Sequence, residues 1–184
     1  MSAKKIHLLA SVPRHGEAIA KLRAPGDAVL VERGVTRAIV FSCPCGCGES
    51  FPINLDSRAG PAWRLYQGHS AGITLFPSIW RESGCRSHFI VWRGRFYMFG
   101  AYDDDFERAS LAPEVQTALT SSVKDALPAS GLVPFSEIAG KINAVPWDVL
   151  LICRKLVKVG AAREGTGKLQ GMFGRPNAPN SGKT

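Results

Sequence analysis

Three cysteines within five residues, in Phe41-Ser42-Cys43-Pro44-Cys45-Gly46-Cys47-Gly48, constrain this chain more than any other feature. A loop this tight, broken by proline and glycine, cannot pack as ordinary core. A fourth thiol, Cys85, lies downstream in Ser83-Gly84-Cys85-Arg86-Ser87-His88-Phe89, so one ion can tie together two loops that are distant in sequence. Thiolates at i and i+2 of an extended loop point to the same side, and the glycines permit the positive φ values needed to wrap an ion. Tetrahedral zinc, about 2.3 Å from each sulfur, is the expected occupant.

The alternatives to metal are a disulfide and a set of free buried thiols, and context argues against the disulfide. Met1-Ser2-Ala3-Lys4-Lys5 is basic, but only a short apolar run follows before Pro13-Arg14-His15, with neither a signal-peptide core nor a cleavage pattern. A cytoplasmic, reduced chain is expected, and there clustered cysteines read as metal-binding or catalytic. No apolar run approaches the ~20 residues of a membrane span. The net charge of +8 over 184 residues invites an acidic partner, nucleic acid included. The basic residues are spread through both halves, so charge does not select among partners.

Pattern places the cysteines in a small antiparallel β domain. Pro25-Gly26-Asp27 is a turn that launches Ala28-Val29-Leu30-Val31-Glu32-Arg33, and after Gly34 comes Arg37-Ala38-Ile39-Val40-Phe41; two β-branched runs about a glycine predict a hairpin. Its second strand delivers the cysteine loop, and Glu49-Ser50-Phe51-Pro52-Ile53-Asn54-Leu55 leads away as a third strand, the strand-loop-strand of a zinc ribbon. Short strands follow at 62–66, 73–76, 87–92 and 96–99, with a turn at 68–72, so that residues 28–99 read as one sheet. The segment 6–22 mixes strand and helix character. The acidic triplet Asp103-Asp104-Asp105 lacks the spaced ligands of a calcium loop and reads as a solvated turn.

From Pro113 the pattern turns helical. A helix is predicted over 114–127, halted by Pro128; a short one over 137–142 capped by Ser136; and a longer one from Pro146, with Val149, Ile152, Leu156 and Val159 as its apolar stripe, ended by Gly160. With the Gly-rich return of 161–169 this order resembles a winged helix-turn-helix, placing Arg154, Lys155 and Lys158 off the stripe. Cys153 reads as a small packed residue. The fold class expected is therefore α+β: a zinc-bound β-rich domain at 1–108, a winged-helix-like domain at 109–175 and a disordered tail at 176–184.

Two clusters can carry chemistry beside the thiols. If the strands at 73–76 and 87–92 pair as a hairpin, Ser78 and His88 face each other at its open end. A serine and a histidine in hydrogen-bond reach are the minimum for nucleophilic acyl transfer. Ser87 is a neighbour of His88 and points to the opposite face of a regular strand, so its use as the nucleophile requires an irregular backbone. Cys85-x-x-His88 is also zinc-ligand spacing, and a Cys3His site would take His88 away from catalysis. A Rieske cluster is excluded because Cys45 stands where that pattern needs histidine. Gly165-Thr166-Gly167-Lys168 follows a helix rather than a strand and so is no phosphate loop.

The paired strings Cys43-Pro-Cys45-Gly-Cys47-Gly48 and Gly84-Cys85-Arg86-Ser87-His88-Phe89, with Trp63 and Leu75-Phe76-Pro77-Ser78-Ile79 between them, resemble a bacterial family of small zinc-binding proteins encoded beside relatives of ubiquitin-conjugating systems. The resemblance covers about residues 25–100. It implies a zinc-bound β-rich domain and a serine protease that removes ubiquitin-like modifiers through a serine-histidine dyad, the matching positions being Ser78 or Ser87 with His88. On that reading Cys43, Cys45, Cys47 and Cys85 fill the zinc alone and release His88. The helical C-terminal domain departs from the family pattern. The competing reading is a non-catalytic zinc-binding adaptor whose winged helix docks a protein partner or DNA.

Overall fold

A computed structural model describes residues 4–68, 72–99, 106 and 109–177. The turn at 69–71, the acidic triplet and the tail from 178 lie outside the described residues. The chain divides into two compact units, Met1–Phe106 and Glu107–Thr184.

The first unit contains β1 (Lys4–Lys5), β2 (His7–Val12), α1 (His15–Ile19), β3 (Asp27–Glu32), β4 (Thr36–Ser42), β5 (Ser50–Asn54), β6 (Arg64–Gly68), β7 (Gly72–Trp80), β8 (His88–Trp92) and β9 (Arg95–Met98). The hairpin about Gly34 is present as β3 and β4. The single sheet expected over 28–99 is instead two: one ordered β2-β3-β4-β5, the other β1-β9-β8-β7-β6. The reason lies in the alternation of side chains. Ala28, Leu30, Ile39, Phe41 and Ile53 of the first sheet share one core with Leu75, Ile79, Phe89, Val91 and Phe96 of the second, and the rings of Phe41 and Phe96 meet edge to face at 5.5 Å. Two inner faces that must both leave water pack against each other.

Nor is the first sheet purely antiparallel, since β2 runs parallel to β3. The ambiguous segment 6–22 resolves into strand followed by helix, because a parallel neighbour requires a crossover and α1 provides it. Ala18 of α1 packs with Val12, Val29, Val31 and Val40 on the outer face of the same sheet. β3 is therefore buried on both faces, and its run Ala28-Val29-Leu30-Val31 is continuously apolar rather than alternating.

The second unit contains α2 (Pro113–Ala126), β10 (Val133–Pro134), α3 (Phe135–Lys141), α4 (Pro146–Lys158), β11 (Arg163–Glu164) and β12 (Met172–Gly174), the strands pairing in the order β10-β12-β11. Pro146 opens α4 as expected, where its missing N–H has no helical partner to lose. Ser136 does not cap α3. Pro134 takes the N-cap position, because the preceding residues pair with β12 and the helix starts directly from that strand.

Val159 leaves the stripe assigned to it. It lies beyond the last helical residue and is 75 % exposed, while Val149, Ile152 and Leu156 are buried. Ile152→Val is accordingly expected to cost about 1 kcal/mol, and Val159→Ser to stay within about 0.5 kcal/mol. Hydrogen exchange of the slowest α4 amides measures both. Cys153 is buried in α4, and burial pushes its thiol up to about 12, as befits a neutral packed side chain.

Candidate functional site

The cysteine loop joins β4 to β5 and is closed by its own backbone. The N–H of Cys43 donates to the carbonyl of Glu49 at 2.9 Å, and the N–H of Gly46 to the carbonyl of Cys43 at 3.2 Å. Gly46 sits at φ +89, which a side chain would resist. The turn leads Cys43, Cys45 and Cys47 toward the loop between β7 and β8, from which Cys85 returns.

All four sulfurs lie within 4.8 Å of one another. Those of Cys43 and Cys45 are 3.3 Å apart, and those of Cys43 and Cys85 are 3.7 Å apart. Four thiolates about 2.3 Å from a tetrahedral ion lie about 3.8 Å from each other. The donor set and spacing therefore fit a metal ion, and this cluster does not include His88.

Ser87 belongs to the thiol side of the strand. Its hydroxyl is 3.2 Å from the Cys85 sulfur and 3.6 Å from that of Cys43. It draws the Cys85 thiol down to about 6. Cys45, exposed as a residue but with its sulfur turned toward Cys43, is pushed up to about 12 by desolvation. A group of thiols this close cannot ionise together unless a cation neutralises them.

Arg81, which the sequence reading did not single out, supplies positive charge. Its Nη1 donates to Glu49 Oε2 at 2.7 Å and lies 3.7 Å from the Cys85 sulfur, and its guanidinium sits 4.7 Å above the Phe51 ring. Gly84 is shaped by the same group: it holds φ +66, and a Cβ there would fall 2.4 Å from a Glu49 carboxylate oxygen. Removing the guanidinium in Arg81→Met is expected to weaken metal retention about tenfold, in the range seen when groups that hydrogen-bond metal ligands are lost. Chelator competition followed by metal analysis checks it.

His88 opens β8 and turns to the other face. Trp80 of β7 is its direct cross-strand partner. Ser78 shares the Trp80 face, two residues earlier, and is thus the diagonal neighbour of His88. The Nε2 of His88 and the Oγ of Ser78 are 3.1 Å apart. On the other side, the carbonyl of His88 accepts from the N–H of Phe99 at 2.9 Å, and the two rings stack with centroids 4.0 Å apart. Trp80 and Phe99 remain 67 % and 47 % exposed, so aromatic surface open to solvent flanks the imidazole.

An irregularity of β7 lies beside Ser78. β7 pairs with β8 at Leu75↔Val91 and next at Ile79↔Phe89, so β7 spends four residues where β8 spends two. Pro77, which has no N–H to give a ladder, falls in that bulge. Trp63, just before β6, donates from its indole Nε1 to the carbonyl of Ser78 at 3.3 Å.

The structure thus brings together Cys43, Cys45, Cys47 and Cys85 in one cluster and Ser78 with His88 in another, and it places Ser87 with the thiols. Arg81, Trp80 and Phe99 were not singled out from sequence. An arginine at a strand end reads as surface, and exposed aromatics carry no periodic signal, although Trp80 sits directly before the loop that bears Cys85.

Residues 14–99 match a family model described as a bacterial ubiquitination-like system serine protease (BubE), a span that lies within the first unit. No curated protein and no solved structure matches the chain. Among the described residues, no helix is long and apolar enough to cross a membrane.

Proposed function

We propose that the first unit is a zinc-stabilised serine peptidase that uses Ser78 as nucleophile and His88 as general base to cleave ubiquitin-like modifiers or related peptide bonds. The observation that carries this reading is the 3.1 Å approach of His88 Nε2 to Ser78 Oγ, with His88 outside the thiol cluster. The family match over 14–99 supports the reaction class.

The chemistry follows from those two atoms. Neutral His88, protonated on Nδ1, accepts the Ser78 hydroxyl proton on Nε2 as Oγ bonds to the substrate carbonyl carbon. The C–N bond then breaks, the imidazolium returns that proton to the departing amine, and an acyl-enzyme remains on Ser78. Water, deprotonated by the same nitrogen, releases the acid and restores the hydroxyl. Zinc held by Cys43, Cys45, Cys47 and Cys85 is structural in this scheme. It would fix the loop that bears Cys85 and leads into His88 at the start of β8, and no step passes through it.

A fluorophosphonate probe tests the proposal. It is expected to label the wild-type protein at Ser78 and to leave Ser78→Ala unlabelled with its zinc intact. Zinc-replete protein whose labelling survives Ser78→Ala would overturn the assignment.

The second unit is assigned a winged-helix fold in this proposal, with α2, α3 and α4 backed by β10, β12 and β11 as the wing sheet, and a docking role toward a protein partner. Lys155, one of the three basic residues off the apolar stripe that a DNA-docking helix would use, donates instead to Gln116 Oε1 at 2.7 Å. That favours protein over DNA as the partner.

A further inference from the structure

The nucleophile sits where the strand ladder does not hold it, and we infer that Trp63 does: its indole N–H fixes the main chain of Ser78, which makes Trp63 a positioning residue for the dyad. The inference rests on the peptidase reading of Ser78 and His88. At Leu75, β7 is in register with both neighbours, Leu65 on one side and Val91 on the other. Beyond it, β6 supplies its last partner at Phe76, through Arg64, and β8 supplies its next at Ile79. Pro77 and Ser78 fall between, with no ladder partner on either strand among the described residues. A serine in such a bulge is left without a ladder partner of its own, so a hydrogen bond from outside the ladder can set the direction of its carbonyl.

Trp63 is built to do so. Its own N–H donates to the carbonyl of Asn54, the last residue of β5, at 2.9 Å, and its side chain packs against the core shared by the two sheets. From that anchored position Nε1 reaches the Ser78 carbonyl at 3.3 Å. The ring is rigid and tied to both sheets, so the carbonyl it holds is tied to them too. With the carbonyl fixed, the Ser78 side chain projects over the sheet toward the diagonal position of His88.

The hydrogen bond can be separated from the packing. Trp63→Phe keeps an aromatic ring, and replacement of Trp63 by 3-benzothienylalanine keeps the full bicyclic shape while removing only the N–H. Both proteins, in the full chain, are to be compared with wild type and Ser78→Ala for zinc content, the rate of fluorophosphonate labelling and the ¹⁵N resonances of the His88 ring. Expected are full zinc content, labelling of Ser78 slowed about tenfold, as small misplacements of a reacting group produce, and ring-nitrogen resonances shifted toward those of Ser78→Ala. A role confined to packing would leave those resonances unmoved in the benzothienyl protein. Wild-type labelling and wild-type resonances in that protein overturn the inference, and it decides the matter should Trp63→Phe fail to fold. If the wild-type protein shows no Ser78-dependent labelling, the peptidase reading falls, while the His88 resonances still report whether Trp63 holds Ser78.

Discussion

Cys85→Ala is expected to strip the metal from the protein and to lower the stability of the first unit by about 4 kcal/mol. The estimate comes from loop closure. Cys43 and Cys85 are 42 residues apart in sequence, and a cross-link over a loop of that length removes about 4 kcal/mol of conformational freedom from the unfolded chain. For a unit of this size each kcal/mol moves the thermal midpoint by about 4–8 °C, so a drop of roughly 15–30 °C is the measurable result. The shared core of Phe41, Phe89, Phe96 and their neighbours does not depend on the ion, so the apo unit should retain its strands at low temperature. The loop bearing Cys85, which leads into His88 at the start of β8, is expected to depend on the ion directly. Labelling of Ser78 should therefore disappear before circular dichroism records loss of the sheets. Acid should act in the same direction as the substitution: the thiols hold a metal as thiolates, and protons compete for them as the pH falls. Stoichiometric zinc and an unchanged midpoint in Cys85→Ala would show that the two loops are not joined by a metal.

The cysteine loop was legible because its spacing admits few uses, and Cys85 could be joined to it although nothing local marks the contact. Ser78 and His88 were legible as neighbours from a hairpin argument, although the residue directly opposite His88 is Trp80 and Ser78 is the diagonal one. What the sequence concealed is mostly long-range. The apolar runs of β4 and β9 mark Phe41 and Phe96 as buried, but do not show that they meet across two different sheets, since strand pattern fixes a residue's burial and not its partner. The parallel pairing of β2 with β3 was hidden because a segment as short as 6–22 shows too few repeats of either period. Ser136 looked like a cap by composition, yet the pairing of Val133 and Pro134 with β12 set the helix start first. The bulge at Pro77 carries a local sign, a proline within an otherwise regular strand. That sign indicates a break in the ladder without indicating which side chain, here Trp63, spans it.

Ser78→Ala and His88→Ala are each expected to reduce covalent labelling and peptide-bond hydrolysis by about a thousandfold or more, because a serine hydroxyl without its base, or a base without its nucleophile, retains little of the joint effect. The double variant should be no slower than the single ones, since the two residues act as one unit and removing either already removes it. His88→Ala is the more informative of the two. Its ring shares the Ser78 face of the strand while Ser87 and the thiols occupy the other, so zinc content and thermal midpoint should stay near wild type even as activity vanishes. Loss of zinc in that variant would make His88 a ligand and reduce Ser78 to a loop hydroxyl. Ser87→Ala should show the opposite pattern: labelling retained, and zinc more readily removed by chelator, since the hydroxyl within 3.2 Å of the Cys85 sulfur is gone. A double variant markedly slower than either single one would mean that Ser78 and His88 lie side by side without working together.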